Sequence, residues 1–369
     1  MKKFTALMLS LALLFACFLP AMAEERKISV VATIFPVYDW AREVIGDSAN
    51  VELTLLQDSG VDLHSYQPTI QDIAKVSTSD VFIYVGGESD EWVEDALANA
   101  VNKDMKVVNL VESMGEDIKM EEIVEGMEHE HHHDHDDGDE DEDHDHDHEH
   151  EDEDEDHDHD HEDADHDHEE HDHDHEGEDH DHDDHDHEHE DEADEHVWLS
   201  LRNAQKLTAA IAAALCEADP ANADTYKANA AAYIEKLDAL DAQYEEAVNA
   251  ATCKTVLFGD RFPFRYLVDD YSLTYYAAFS GCSAESEASF ATVVFLAQKV
   301  DELNLPAVLT IENPKTRIAE TIIGNTSAKN QKVLSLDSMQ GTTAADVQAG
   351  ATYLSVMENN LKILAEALQ

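Results

Sequence analysis

Basic residues are few in this 369-residue chain: 22 Lys and Arg stand against 85 Asp and Glu, a formal charge of −63. A phosphate backbone needs a basic face, so nucleic acid is excluded as a partner. Cysteine is also scarce. Apart from Cys17 in the N-terminal apolar run, the chain has Cys216, Cys253 and Cys282. An odd set of three admits at most one intramolecular bridge, so this is no disulfide-stapled scaffold. Beyond the N-terminus no apolar run approaches the ~20 residues needed to cross a bilayer. G-x-S-x-G does not occur, and the one H-E-x-x-H match, residues 129–133, falls in a run of histidines and acids with no helical apolar pattern, so the chain lacks the local context of a zinc protease and the signature of a serine hydrolase. Histidine is abundant in total, at 24 residues, yet only His64 and His196 lie outside a single segment.

That segment, residues 128–195, holds 22 His and 42 Asp or Glu among its 68 positions, leaving Gly138, Ala164, Gly177 and Ala193 as its only other residues. With nothing apolar to bury and strong self-repulsion it cannot form a core, and it is expected to be disordered without a counter-ion. Removing its 42 acids leaves −21 for the rest, an ordinary acidic protein. The N-terminus, with Lys2 and Lys3, an apolar run and Ala21-Met22-Ala23, has the form of an export signal cleaved after Ala23 (1–23). Cys17 within "LFAC" offers the other reading, a lipid anchor at the cell-envelope surface. Either way the expected location is exported, the periplasm or envelope surface.

Elsewhere short β-branched runs alternate with helical patterns. "KISVVATI" (27–34), "VELTLL" (51–56), "VFIYVG" (81–86) and "KVVNLV" (106–111) predict strands, and "TVLFG" (255–259), "LTYYAAF" (273–279), "AVLTIE" (307–312) and "KVLSLD" (332–337) form a second series. Strand and helix in alternation imply parallel sheets with right-handed crossovers. Between the series, residues 221–250 contain only strong helix formers and polar residues without Gly or Pro, about 45 Å of helix at 1.5 Å per residue. The expected fold class is α/β: two Rossmann-like lobes joined by a long rigid helix. The N-terminal lobe takes 24–127 and 196–220, the linking helix 221–251 and the C-terminal lobe 252–369.

Open α/β sheets bind ligands beyond the carboxyl ends of their strands, and a cleft between lobes brings two such edges together. His64 follows the second strand, Asp260 the first C-lobe strand, Glu312 and Asp337 the later ones, and His196 enters a helix. A lone loop histidine is ordinarily a solvated surface residue. A chain carrying 22 further imidazoles is a different case, because neutral imidazole is a common ligand of zinc and its neighbours.

The motifs "DSGVDLHSYQPTIQDI" and "DEHVWLSLRNA" resemble the first and second metal-ligand loops of the zinc and manganese solute-binding proteins of ABC importers, the ZnuA-like group. The resemblance covers nearly the whole chain after the signal, including a His/Asp/Glu-rich insertion before the second ligand. It implies that His64 and His196 bind metal in the interlobe cleft. The family's third ligand falls where Phe258 leads to Gly259 and Tyr266 counts back to Arg261, with Asp260 between as though one residue were inserted. Asp260 is either that ligand or a salt-bridge partner of Arg261 or Arg265. Asp337 matches the family's fourth position and would look similar as a helix cap or turn residue. Glu312, Cys282 or a tract histidine are further choices, with Cys282 also readable as structural. Such a set suits Zn2+ first, with Mn2+ or Fe2+ as the alternatives. The implied function is capture of the ion for a membrane permease by a monomeric protein that is not an enzyme. A metallohydrolase would need a positioned base and substrate groups, and a pure metal buffer or adhesin would act through the tract.

Overall fold

The computed structural model describes residues 27–127, 192–283, 287–312 and 317–369. Eight strands form where the β-branched runs predict them: β1 Ile28–Ala32, β2 Val51–Leu55, β3 Val81–Tyr84, β4 Lys106–Asn109, β5 Thr255–Arg261, β6 Thr274–Phe279, β7 Ala307–Thr310 and β8 Lys332–Ser335. Each set of four makes its own parallel sheet, ordered β2-β1-β3-β4 and β6-β5-β7-β8. Parallel pairing requires crossovers, and the helices supply them. Phe35–Ile45 starts on Pro36, whose missing N–H falls among the groups a helix start leaves unbonded. Ile70–Thr78 starts on a reciprocal capping box between Thr69 and Asp72. The identical strand orders reverse the chain's direction of travel at matching places, between β1 and β3 and between β5 and β7, and ligands of such sheets gather beyond the carboxyl ends near that reversal.

The linking helix runs Ala223–Ala250 and buries Tyr226, Ala230, Tyr233, Leu237, Leu240, Tyr244 and Val248. Their spacing of three and four makes one apolar stripe. Near one end Asn229 Nδ2 donates to the Val44 carbonyl at 3.0 Å, in the N-terminal lobe. Near the other, the Tyr244 hydroxyl donates to the Met357 carbonyl at 2.6 Å, in the C-terminal lobe. This helix is not the only joint. The final helix, Tyr353–Ala367, begins against the N-terminal lobe, where the Tyr353 N–H donates to the Asp39 carboxylate at 2.7 Å. The Tyr353 ring also stands edge-on to Trp40 at 5.1 Å. One apolar cluster therefore includes Val30 and Leu368 and residues of both sheets.

The signal segment 1–23, Cys17 and the acidic tract as far as residue 191 lie outside the described residues. The tract's far end does not. The N-terminal lobe resumes at residue 192, not at 196, because Met120 and Ala193 pair as an antiparallel bridge. Glu121 N–H donates to the Glu192 carbonyl and Asp194 N–H to the Lys119 carbonyl, both at 2.8 Å. Composition assigns Asp194 and Glu195 to the tract, but backbone partners place them in the lobe, each 2% exposed. Among the described residues no helix is long and apolar enough to cross a membrane. Cys216, Cys253 and Cys282 are all free thiols.

Candidate metal centre

His64 lies in a single 3-10 turn, Leu63–Ser65, after β2. Asp62 caps the turn by accepting the His64 N–H at 3.1 Å, and Leu63, 1% exposed, pins it to the core. His196 follows the Met120–Ala193 bridge and opens a second 3-10 turn, Val197–Leu199, whose three residues are buried. Trp198 holds that turn to the C-terminal lobe, its Nε1–H donating to the Ser338 carbonyl at 2.9 Å. Ser200 then caps the helix Leu201–Ala218. These two turns, from sequence positions 132 apart, bring the Nε2 atoms of His64 and His196 within 3.2 Å. Two nitrogens bound to one tetrahedral zinc at ~2.0–2.1 Å lie about 3.3 Å apart.

The other nitrogen of each ring is held from behind. His196 Nδ1 meets Asp194 Oδ1 at 3.0 Å. An ionised carboxylate only accepts, so Nδ1 carries the hydrogen and Nε2 faces the cleft. His64 Nδ1 meets Ser89 Oγ at 2.7 Å, in the loop after β3. Glu195 braces that loop, Oε1 accepting the Ser89 N–H at 2.9 Å. Its Oε2 is buried without a hydrogen-bond partner and lies 3.9 Å from His64 Nδ1; burial raises this carboxyl's pKa. The space for it comes from Gly87, at φ +81°, where a Cβ would fall 2.4 Å from Glu195 Oε1. Burial, then the neighbouring His196, push His64 down to about 4. Its imidazole is therefore neutral at pH 7 and available to a cation.

Among the described residues neither predicted carboxylate, Asp260 nor Asp337, has an oxygen within 4.8 Å of both histidine donors. In β5 the register shifts between Phe258 and Arg261, the extra residue that the sequence count implies. Gly259 cannot be replaced by a ligand-bearing residue without displacing backbone, since a Cβ there would meet Ala319 Cα at 2.6 Å. Asp260 uses both oxygens on backbone: Oδ1 accepts the Arg261 N–H at 2.9 Å and Oδ2 the Ile311 N–H at 3.3 Å. The expected salt bridge is not made either. Arg261 reaches across to Asp62 and Arg265 pairs with Glu122. Burial opposes ionisation of Asp62, but the hydrogen bond and charge of Arg261 outweigh it and hold the carboxyl below its usual range.

Asp337 Oδ1 accepts the Met339 N–H at 2.8 Å, a turn contact; burial and then the nearby Glu312 push its carboxyl up to about 6. Glu312 accepts from Ser338 N–H at 2.8 Å and Ser338 Oγ at 2.7 Å. From the same loop the Gln340 carboxamide lies between Asp62 and His196, with one end 3.0 Å from an Asp62 oxygen and the other 2.9 Å from His196 Nε2. Among the described residues, the three donors that fall within 4.8 Å of one another are those of His64, His196 and Cys282. Asp194 and Glu195 escape a sequence reading because their letters match the tract; the only sign is the apolar "VWL" that follows.

Residues 30–367 match the family model described as zinc-uptake complex component A, periplasmic (ZnuA). The zinc-binding lipoprotein AdcA of Streptococcus pneumoniae is 31% identical over 368 residues, covering 99% of this chain and 61% of the lipoprotein. The chain thus spans about three fifths of that relative's length. The high-affinity zinc uptake system protein ZnuA of Bacillus subtilis is 27% identical, with 94% of this chain and 90% of the relative covered. Among solved structures, the Zn(II)-bound ZnuA-like domain of Streptococcus pneumoniae AdcA gives a TM-score of 0.62 at 26% identity, covering 93% of this chain and 99% of that one.

Proposed function

We propose a function from one premise: the chain belongs to the ZnuA family. It captures a divalent transition metal outside the cytoplasm, Zn2+ ahead of Mn2+ or Fe2+, and presents it to the membrane permease of an ABC importer. The observation that carries this reading is the 3.2 Å approach of two Nε2 atoms, each ring oriented from behind by Ser89 or Asp194. Such a pair is a site formed before the ion arrives, and carboxylate or hydroxyl support behind a ligating imidazole raises its affinity. Delivery requires only that donors exchange, so no catalytic step is assigned. The cleft loops contribute unequally: a zinc ion at His196 Nε2 displaces the Gln340 carboxamide, which loosens that loop from Asp62.

The acidic tract acts in this scheme as a weak, multiple store. Its alternating imidazoles and carboxylates can surround an ion, but ordering the chain around each one costs conformational entropy. The Met120–Ala193 bridge at its base adjoins Asp194, the residue that orients His196. Calorimetric zinc titration of the full chain and of His64→Ala and His196→Ala variants tests the assignment. The full chain should show one tight site above many weak ones, and each variant should lose the tight site alone. A tight site that survives in both variants would place capture elsewhere.

A further inference from the structure

We propose that Cys282 is the third zinc ligand, its thiolate completing a two-imidazole, one-sulfur site across the lobes; this rests on the capture function proposed above. Cys282 sits in the turn after β6, at the carboxyl edge of the C-terminal sheet, and its donor atom lies within 4.8 Å of those of His64 and His196. A sulfur at ~2.3 Å and a nitrogen at ~2.0–2.1 Å from one tetrahedral zinc are about 3.6 Å apart. The turn therefore has at most about an ångström to close on binding.

Three further observations point the same way. The residue before the cysteine is Gly281, where a Cβ would meet His196 Cε1 at 3.0 Å and Nδ1 at 3.2 Å, so the turn lies tight against the ring and a side chain there would press on it. The Cys282 N–H donates to Glu121 Oε1 at 2.9 Å, and Glu121 belongs to the same bridge that delivers His196. The other C-lobe positions are otherwise engaged: Gly259 has no room for a donor and Asp260 holds two backbone N–H groups. The remaining thiols face backbone carbonyls, Cys216 that of Ala223 and Cys253 that of Thr255.

Burial, with Glu121, Glu195 and Asp194 nearby, holds the free thiol protonated by raising its pKa. A bound dication reverses that balance: the S–Zn bond forms as the S–H proton leaves to solvent. The same acids draw the cation in. A thiolate also settles a choice that imidazole and carboxylate leave open, because soft sulfur favours zinc over manganese.

The test loads the full chain with Co2+ in place of zinc and reads the near-ultraviolet thiolate-to-cobalt charge-transfer band. The tract contains no cysteine and cannot produce it. The band should appear at one equivalent, vanish in Cys282→Ser and persist in a Cys216→Ser, Cys253→Ser double variant. Zinc affinity in Cys282→Ser should fall by more than the ~10–100-fold that losing an outer-shell partner costs, and the preference for zinc over manganese should narrow. In the unmutated protein zinc should shield Cys282 from alkylation, read by mass spectrometry, which decides the matter even if the serine variant folds poorly. A tight site with no band and an unshielded Cys282 overturns the ligand role while leaving capture intact. Absence of any tight site that His64→Ala removes overturns capture itself.

Discussion

Asp194 and Asp337 are both carboxylates beside a backbone turn, and their surroundings give them opposite tasks. Asp194 accepts from the His196 ring as well as from its backbone N–H at 2.8 Å, so its charge fixes which nitrogen faces the cleft. Asp194→Asn can present an amide N–H to Nδ1 and favour the wrong tautomer; zinc affinity should drop ~10–100-fold with little change in the metal-free fold. Competition against a fluorescent chelator reads this directly. Asp337 carries a carboxyl raised to about 6 by burial and Glu312. A folded-state pKa above the unfolded value means the native state binds the extra proton. The associated stability is present below ~4 and lost as pH rises through ~6. Asp337→Asn keeps an acceptor for the Met339 N–H and removes the buried charge. It should stabilise the metal-free protein by about 1–3 kcal/mol at pH 7 and by little at pH 4, measured by urea unfolding. If the same variant also weakens zinc strongly, the family's fourth-ligand position is used here after all. Of the site itself, His64 and His196 are legible in the sequence because each is an isolated histidine outside the tract beside an aromatic. Glu195 and Asp194 are not, since burial decides their role and burial cannot be read from an acid among acids.

At the scale of elements, the eight strands are legible because buried parallel strands read as short continuous β-branched runs. The bulge in β5 is legible only as a count that fails to close, and what fills it depends on β7: Asp260 bridges to the Ile311 N–H, a partner 51 residues away. Asp260→Ala should leave zinc affinity nearly unchanged and lower stability by about 1–3 kcal/mol, the cost of buried N–H groups without an acceptor. A large loss of affinity with unchanged stability would restore Asp260 as a ligand. The loop after β3 makes a complementary case. Gly87→Ala sets a methyl against Glu195 Oε1 at a backbone angle that favours glycine. The resulting shift of Ser89 and His64 should weaken zinc even though residue 87 touches no metal donor.

The whole molecule differs from two lobes on one helix because the last helix returns to the first lobe. Tyr353 is fully buried, its hydroxyl donating to the Trp198 carbonyl at 2.7 Å and its N–H to Asp39. That second joint was not legible, since nothing local in "ATYLSVMENN" records a partner more than three hundred residues away. Its consequence is cooperative unfolding: urea melts followed by tryptophan fluorescence and by circular dichroism should coincide. Two separated transitions would mean the lobes fold independently. Zinc in 100-fold excess over the dissociation constant of a single native site should add about 2.7 kcal/mol.

The bridge between Met120 and Ala193 ties the chain before the acidic tract to the chain after it, and this frees the tract's length from the rest of the design. For a flexible loop, each doubling of the number of residues costs only about 0.6 kcal/mol of closure entropy. The count of His–acid repeats can therefore grow or shrink while the clamp, the orientation of His196 and the cleft stay as they are. On the proposed function, storage capacity and capture affinity are written in different stretches of sequence and adjustable one without the other.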